Sequence, residues 1–446
     1  MSREVDYDVI GAGFGPANAA LAVLLADAAA ERGSALSAQF FEQRSSAVWH
    51  PGMLVPGATS QDTFLEDLVT PRNPRSRFTF LNYLHQKGRL YAFMRRQSLR
   101  ISRREFSSYL DWAAGELGNV RFSHTVVGVR PLQGSGDRID ALAVQVHDAA
   151  TGRHEEVSTR NLVIAVGARP HVPDGVPASA PGIFHSSRFV PDFRRSFGDV
   201  SARIRVLVVG SGQSAAEIVH HLLVAYPDAQ ITWAYRRILP SALDDSPLTW
   251  EPYQGEATAD LLDRLPPAAR AEYLRELHQT NYSCINVELL EALHELCYQE
   301  EIADRRRLHR LPHVELREIA RRGHELEARF QDRFTARAST ARFDAAVLAT
   351  GYRREVPSVL EGLNRYVVRD ADGGIQVSRA YEVLVHPTLR ARVFVQGISE
   401  HRFGIRDGLS ADVAVRVQPI FERLLTPHDE TRIPCPRPTA PRAGIS

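Results

Sequence analysis

Apolar runs that end in glycine-rich turns recur along this 446-residue chain and predict an α/β fold. The first run, in "DYDVIGAGFGPANAALAVLLADAA", passes from a short apolar strand through glycines into a helix rich in alanine and leucine. The next apolar run, "AQFFEQR", is predicted to be a second strand, which ends in Glu42. A strand, a glycine turn, a helix and a strand with an acid at its end form the order of a dinucleotide-binding unit.

Each residue type in this first turn has a predicted task. Gly11 permits the tight turn, and Gly13 lets the backbone approach a pyrophosphate. Pro16 stands where the general pattern has its third glycine, and proline suits the first turn of a helix. The helix N-terminus offers free N–H groups to the pyrophosphate, and Glu42 is placed to accept a hydrogen bond from a ribose hydroxyl.

A second unit of the same kind follows in "ARIRVLVVGSGQSAAEIVHHLLVAYPDAQITWAYRR". Gly210 and Gly212 follow its first strand, and Ala215 takes the third glycine position. The second strand ends in two arginines, the first of which is Arg236, rather than in an acid. Arginine at this position pairs with a 2′-phosphate, so the unit is expected to prefer NADPH over NADH. The alternative is a solvated strand end that happens to carry two arginines.

Two more apolar strands that close in glycine turns, "NLVIAVGARPHVP" and "FDAAVLATGYRREVP", are predicted where the chain passes between these units. The first dinucleotide-binding domain is therefore placed at 1–190 and 340–446, and the tail after about 425 is expected to be loose. The second domain is placed at 191–339, and within it 240–310 is predicted to be mainly helical and free to shape a substrate site. The predicted fold class is α/β, with two Rossmann-like dinucleotide-binding domains and a helical substrate-site segment.

Composition narrows the kind of protein further. With 44% apolar residues, 24% charged residues and a formal net charge of +1, the chain is typical of a soluble globular protein, and nothing points to nucleic acid or a membrane. Cys284, Cys297 and Cys435 form no CxxC pair, so neither a disulfide framework nor a metal site is expected. The N-terminus enters a strand almost at once, which leaves no room for a signal segment, and a cytoplasmic location is expected.

Seven motifs in order resemble one family. They are "GAGFGPAN", "FFEQRSSAVWHPGM", "FLEDLVTPRNPRSRFTFLNYLHQKGRL", "VVGSGQSAAEIV", "DDSP", "TNYS" and "LATGY". The set resembles the flavin-dependent N-hydroxylating monooxygenases, which include the ornithine and lysine N-monooxygenases of siderophore and specialised metabolism. The resemblance covers about residues 1–425.

The resemblance implies an enzyme that needs little acid–base machinery of its own. NADPH reduces FAD, O2 adds to the flavin as a hydroperoxide, and a neutral primary amine attacks it to give a hydroxylamine. The protein must then position the reactants and exclude water. The implied cofactors are FAD and NADPH, the implied partners are a small-molecule amine and O2, and a homo-oligomer, either dimer or tetramer, is consistent with the family.

Site residues are carried over from the family by position. Gln61 corresponds to a glutamine over the reactive face of the flavin, and Asn281 to an asparagine that touches the nicotinamide ribose and the substrate, so these two are the expected catalytic residues. The expected FAD contacts are Gly11, Gly13, Gly15, Pro16, Glu42, Trp49, His50, Gln61, Val126, Gly408, Leu409 and Ser410. The expected NADPH contacts are Gly210, Ser211, Gly212, Gln213, Ser214, Arg236, Asn281, Tyr282 and Ser283.

The positions that hold an amino-acid carboxylate in this family differ here. Glu66 stands at the position of a lysine, and Trp250 at the position of an asparagine. The positions of a threonine, a histidine and two serines are occupied by Arg402, Phe403, Arg406 and Ala411. A carboxylate about 4 Å from Glu66 would be repelled by roughly 4 kcal/mol at an effective dielectric constant near 20. Free ornithine or lysine in the usual pose is therefore not expected to be the substrate.

Three interpretations of Glu66 stay open at this point. Glu66 receives the cationic end of a diamine or related amine, or it pairs with Arg402 or Arg406, or it is turned outward into solvent. Two other functions also stay open. One is a flavin monooxygenase that oxygenates sulfur or a ketone, although the glycine-and-histidine linker of those enzymes is missing around "IFHSSRFVPDF". The other is a ligand- or partner-binding flavoprotein with only uncoupled NADPH oxidase activity.

Overall fold

The computed structural model of the chain describes residues 4–33, 36–132, 138–178, 180–250, 257–370 and 373–427. The strands are β1 Tyr7–Ala12, β2 Ala38–Glu42, β3 Thr59–Thr63, β4 Arg100–Ser102, β5 Val120–Phe122, β6 His124–Leu132, β7 Ala141–Asp148, β8 His154–Ile164, β9 Arg169–Pro170, β10 Ile183–His185, β11 Arg205–Val209, β12 Gln230–Ala234, β13 Ser241–Ala242, β14 Cys284–Ile285, β15 Leu308–Leu311, β16 Val314–Arg322, β17 Glu325–Asp332, β18 Ala338–Phe343, β19 Ala345–Leu348, β20 Tyr352–Arg353 and β21 Arg392–Val395. The α-helices are α1 Pro16–Arg32, α2 Phe80–Gln86, α3 Leu90–Met94, α4 Arg103–Leu117, α5 Phe189–Ser196, α6 Gln213–Ala225, α7 Pro247–Trp250, α8 Ala257–Arg264, α9 Pro267–Asn281, α10 Val287–Ile302, α11 Glu400–Phe403 and α12 Val413–Leu425.

The first sheet has the strand order β5-β2-β1-β8-β7-β6, with β21 paired to β8. Strands β1, β2, β5, β8 and β21 pair in parallel, whereas β6, β7 and β8 pair antiparallel. Ile10 and Phe40 of the sheet share one buried core with Leu21, Leu110 and Val417 of α1, α4 and α12. Because helices cover the parallel strands, these strands are almost continuously apolar.

The second sheet is parallel, with the order β10-β19-β11-β12-β15. Helix α6 follows β11 and buries Ile218 and Leu222 in the core on one side. On the other side, the antiparallel sheet β16-β17-β18 packs Leu316 and Phe330 against Leu207 of β11. The second unit is therefore also covered on both faces of its parallel sheet.

The predicted α/β class with two dinucleotide-binding units is confirmed. The points at which the chain passes from one unit to the other differ from the predicted boundaries, as the strand pairing shows. Strands β10 and β19 both belong to the second sheet, although the boundaries at 190 and 340 assigned them to the first domain. The two strands pair with each other across the whole insertion, a long-range contact that their own apolar pattern does not specify. The chain crosses after β8 and again after β19, where β9 and β20 form an antiparallel ribbon.

The segment between β12 and β15 contains α7 to α10, with the short strands β13 and β14 paired to each other. It corresponds to the stretch predicted to be mainly helical. Helix α12 ends at Leu425, and most of the predicted loose tail, from residue 428 onward, lies outside the described residues. In the described ranges, no helix combines the length and apolar character that crossing a membrane requires.

Candidate functional site

One cavity of about 1800 Å³ joins the two units and touches both glycine turns. Pockets for single small ligands occupy roughly 300–1,000 Å³, so this cavity has room for more than one ligand. The predicted contacts that line it are Gly13, Gly15, Pro16, Glu42, Trp49, His50, Gln61, Val126, Gly210, Ser211, Gly212, Gln213, Ser214, Arg236, Tyr282, Ser283, Gly408, Leu409 and Ser410. The fold thus brings the positions predicted for both coenzymes to one space.

The first glycine turn is shaped to admit a phosphate. Gly13 has a φ of +84°, and a Cβ atom there would lie 2.5 Å from the carbonyl oxygen of Ala165, so only glycine fits. Helix α1 begins at Pro16 with no side-chain cap and no acid in its first turn, which leaves its first N–H groups for an anion. Gly11 was predicted to contact FAD but is not among the residues that line the cavity; a Cβ atom there would meet the Phe40 ring at 2.1 Å, so the structure gives this glycine a packing role.

Glu42 is fixed at the end of β2, where it is 5% exposed. Its Oε2 atom accepts the Phe14 N–H at 2.8 Å, and its Oε1 atom accepts the Arg44 N–H at 3.0 Å. Each carboxylate oxygen has a second acceptor site, so the group can still accept from a ribose hydroxyl, as predicted. The two backbone bonds orient it for that contact.

The second glycine turn is equally tight. Gly210 has a φ of +135°, and a Cβ atom there would lie 2.2 Å from the carbonyl oxygen of Ala349. The Gln213 side chain is held by the protein, because its Oε1 atom accepts the Asn286 N–H at 2.9 Å and its Nε2 atom donates to Glu217 at 2.9 Å. The backbone N–H groups at the start of α6, rather than this side chain, are therefore available to a phosphate.

Basic side chains line the cavity near Arg236. Arg236 lies just after β12, exposed to the cavity, and His171 and Arg353 line the same space. Burial, followed by the charges of Arg353 and Arg236, lowers the pKa of His171. A 2′-phosphate would supply the negative charge that these groups face.

Gln61 carries a buried polar atom that has no partner among the described residues, the amide Nε2. The backbone carbonyl oxygen of Gln61 accepts a hydrogen bond from Arg100 Nη1 at 2.8 Å. Arg100 Nη2 forms an ion pair with Asp245 of the "DDSP" motif at 2.5 Å. The backbone is thus anchored while the amide lines the cavity. A buried donor without a protein partner fits a ligand as its partner, and the flavin is the group expected there.

The residues predicted around a substrate carboxylate lie elsewhere. Glu66, Arg402, Arg406 and Ala411 are not among the described residues that line the cavity. Glu66 Oε2 accepts the Thr63 N–H at 2.8 Å.

Both arginines are paired with other acids. Arg402 Nη2 lies 3.4 Å from Asp263, and Arg406 Nε lies 2.9 Å from Asp412. The acids at these distances from the two arginines are thus not Glu66, and the ion pair of Glu66 with Arg402 or Arg406 stays a prediction. Trp250 and Asn281 end α7 and α9, and their side chains lie outside the described part of the chain.

Two charged cavity residues were missed by sequence reasoning. Asp62 follows Gln61 and accepts a hydrogen bond from the Ser410 hydroxyl, a contact between positions 348 apart in the chain. Arg354 donates to the Tyr282 hydroxyl at 2.7 Å. Neither belongs to a recognisable motif, so only the fold reveals them. No cluster of three or more metal-ligating side chains occurs in the described ranges.

A buried ion pair connects the two units beside the cavity. Arg103 at the start of α4 places Nη1 2.5 Å from Glu217 Oε2 of α6. Both residues are less than 9% exposed. This pair links the unit that holds the first glycine turn with the helix of the second.

Known proteins are similar along nearly the whole chain. The family model described as L-lysine 6-monooxygenase/L-ornithine 5-monooxygenase matches residues 5–354. An L-ornithine N(5)-monooxygenase of Burkholderia cepacia is 38% identical over 411 residues, which cover 91% of each chain. A putrescine N-hydroxylase of Shewanella oneidensis is 30% identical over 408 residues, covering 90% of this chain and 78% of that one. The solved ornithine N-hydroxylase of Kutzneria sp. 744, with reduced FAD, NADP⁺ and L-ornithine, aligns with a TM-score of 0.87 and 35% identity over 94% of this chain and 98% of that one.

Proposed function

This chain belongs to the L-lysine 6-monooxygenase/L-ornithine 5-monooxygenase family, and we propose that it hydroxylates the nitrogen of a primary amine with NADPH and O2. The observation that carries the proposal is the single cavity that contains both glycine turns and Gln61. FAD, reduced by NADPH, supplies the oxygen-transfer chemistry when it is bound. The chain itself holds the two nucleotides, orients the amine and keeps water away.

Different chemical groups of the chain would hold different parts of the two cofactors. Backbone N–H groups at the starts of α1 and α6 bind the two pyrophosphates, and Glu42 accepts from the FAD ribose. Arg236 binds the 2′-phosphate of NADPH. The Gln61 amide would donate toward the flavin, and Gly408 to Ser410 line the same cavity.

We call the part of the cavity at Asp62, beside Gln61, the substrate wall; Asp62 lines the cavity there, whereas Glu66 and Asp412 do not line it. Asp62, Glu66 and Asp412 lie near enough that Glu66 raises the pKa of both aspartates. The positive charge of Arg100 opposes this effect at Asp62, and the charges of Arg406 and Arg416 oppose it at Asp412. A substrate carboxylate placed about 4 Å from an ionised Asp62 would be repelled by roughly 4 kcal/mol at an effective dielectric constant near 20.

A diamine fits this wall better than ornithine does. Whichever of its two nitrogens reacts, a diamine can present an ammonium group to the carboxylates and bring no carboxylate of its own. The similar protein named for putrescine supports this choice of substrate class. The proposed substrate is therefore a diamine or polyamine rather than free ornithine or lysine in the usual pose.

An amine panel tests the proposal. Putrescine, cadaverine, spermidine, ornithine, lysine and butylamine are each incubated with the FAD-loaded protein, NADPH and O2, and hydroxylamine, peroxide and NADPH are all quantified. We expect the highest yield of hydroxylamine per NADPH from the diamines. NADPH loss alone is insufficient because uncoupled turnover also consumes it. Exclusive sulfoxide or ester formation from a sulfide and ketone panel, or peroxide as the only product, would overturn the proposal.

A further inference from the structure

Asp62 is a carboxylate inside the cavity with unused acceptor capacity. It lies on β3 directly after Gln61, and both side chains line the cavity together with Ser410. The Ser410 hydroxyl donates to its Oδ2 atom. In the described part of the chain, no donor is bonded to its Oδ1 atom, so one oxygen is available to a ligand.

Three other acids that line the cavity are already held by the protein. Glu42 accepts backbone N–H groups on both oxygens, as does Asp407. Glu400 lies 3.7 Å from the guanidinium of Arg354. Of the acids near Gln61, Asp62 is thus the carboxylate best placed to exchange a proton with a bound molecule.

Five influences set the charge state of Asp62. Burial raises its pKa most, and the Ser410 hydrogen bond lowers it. The negative charges of Glu66 and Asp412 raise it, and the positive charge of Arg100 lowers it. Together they raise the pKa of Asp62 to about 6, so the group is ionised at neutral pH but can hold a proton close to it.

We propose that the Asp62 carboxylate accepts the proton that the substrate ammonium group must lose before its nitrogen can react. This inference rests on the proposed amine hydroxylation. An N–H bond of the ammonium breaks, an O–H bond forms on Asp62, and the electron pair stays on nitrogen. The charge of the pair changes from one cation and one anion to two neutral groups, with no oxidation or reduction. The proton then leaves Asp62 for solvent before the next turnover.

The surroundings make this transfer easier than it is in water. An alkyl ammonium has an ordinary pKa near 10, well above that of any free carboxylate. Burial favours the neutral amine, which lowers the pKa of the ammonium, and it favours the neutral acid, which raises the pKa of Asp62. The difference between the two pKa values therefore becomes smaller. The negative charges of Glu66 and Asp412 raise the pKa of Asp62, which makes Asp62 a stronger base toward the ammonium.

The test is the pH dependence of hydroxylamine formation in matched variants. The FAD-loaded protein should lose kcat/KM below about pH 6, as Asp62 becomes protonated. This fall of kcat/KM at low pH is the acid limb of the profile. In Asp62→Asn the acid limb should disappear, and the rate of hydroxylation should fall by about 100-fold or more. Flavin reduction by NADPH, measured without O2, should remain, because Asp62 is not needed for that step.

Two further variants should move the limb in opposite directions. Glu66→Gln removes a negative neighbour, so the limb should move to lower pH. Ser410→Ala removes a donor that stabilises the anion, so the limb should move to higher pH, with FAD content checked by absorbance. A purely structural role for Asp62 would produce neither displacement.

The outcomes separate this inference from the proposed function. Asp62 is not the proton acceptor if the unaltered protein forms hydroxylamine but Asp62→Asn keeps both the acid limb and the rate. The same conclusion follows if the acid limb stays at the same pH in both Glu66→Gln and Ser410→Ala. If no amine gives hydroxylamine with the unaltered protein, the proposed function itself fails.

Discussion

The raised pKa of Asp62 predicts that this residue destabilises the folded protein at neutral pH. The pKa of Asp62 is about 6 in the folded state, against an ordinary value of 3.8. At a pH between these two values, the native state therefore binds more protons than the unfolded state. Stability should therefore fall as pH rises from about 4 to above 6. One pKa unit corresponds to about 1.4 kcal/mol, so the shift lowers the free energy of unfolding by roughly 3 kcal/mol once Asp62 is fully ionised. This is an upper value, because the Asp62 side chain is only partly buried.

Asp62→Asn removes the charge and keeps an acceptor oxygen for the Ser410 hydroxyl. We expect the variant to unfold at a higher temperature than the unaltered protein at pH 8, and the difference to vanish near pH 4. The measurement is thermal unfolding of the FAD-free protein across that pH range, since bound FAD would add its own stabilisation. Glu276→Gln, the same change from acid to amide at an exposed residue outside the cavity, is the control for the substitution itself.

A stability difference between Asp62→Asn and the unaltered protein that is independent of pH would refute this account. So would a difference that grows toward low pH. Either result would mean that Asp62 is not held in a surrounding that favours its neutral form, and the proton-acceptor role would lose its support.

Four other changes test the site. Arg236→Ala should raise the Michaelis constant for NADPH about tenfold to a hundredfold, with little change for NADH, because it removes a charge-assisted phosphate contact worth roughly 1.5–3 kcal/mol. Gln61→Ala should keep FAD bound and reducible while peroxide rises at the expense of hydroxylamine, measured per NADPH. Glu66→Lys should depress diamine hydroxylation without restoring ornithine turnover in the amine panel. Arg103→Met should leave the buried Glu217 charge unpaired and cost about 3–5 kcal/mol in denaturant unfolding, and unchanged stability would contradict that role.

The glycine turns and strand ends were predictable because their chemistry is local. Gly13 and Gly210 adopt positive φ angles against a neighbouring carbonyl oxygen, and each stands within a few residues of the strand and helix that it joins. Glu42 ends β2 and Arg236 lies two residues after β12, so the apolar pattern alone located them. The crossings between the units could not be located this way, because β10 and β19 are assigned by pairing over a long insertion.

The substrate side was less predictable because it depends on side chains from distant segments. Resemblance placed Glu66 at a carboxylate-binding position, but a short turn directs its oxygen to the Thr63 N–H. Asp62 drew no notice in the sequence, since its partner Ser410 lies at the other end of the chain. No local pattern encodes such a contact.

These two levels of predictability have one physical origin. Backbone N–H groups and tight glycine turns recognise the phosphates of any dinucleotide, so the cofactor frame tolerates changes in most side chains around it. The substrate side depends instead on individual charged side chains: Asp62 lines the cavity, and Glu66, Asp412 and Arg100 act on its charge state. We therefore expect the proposed preference for a diamine to depend on a few side chains of β3, its following turn and the start of α12, with the cofactor frame kept.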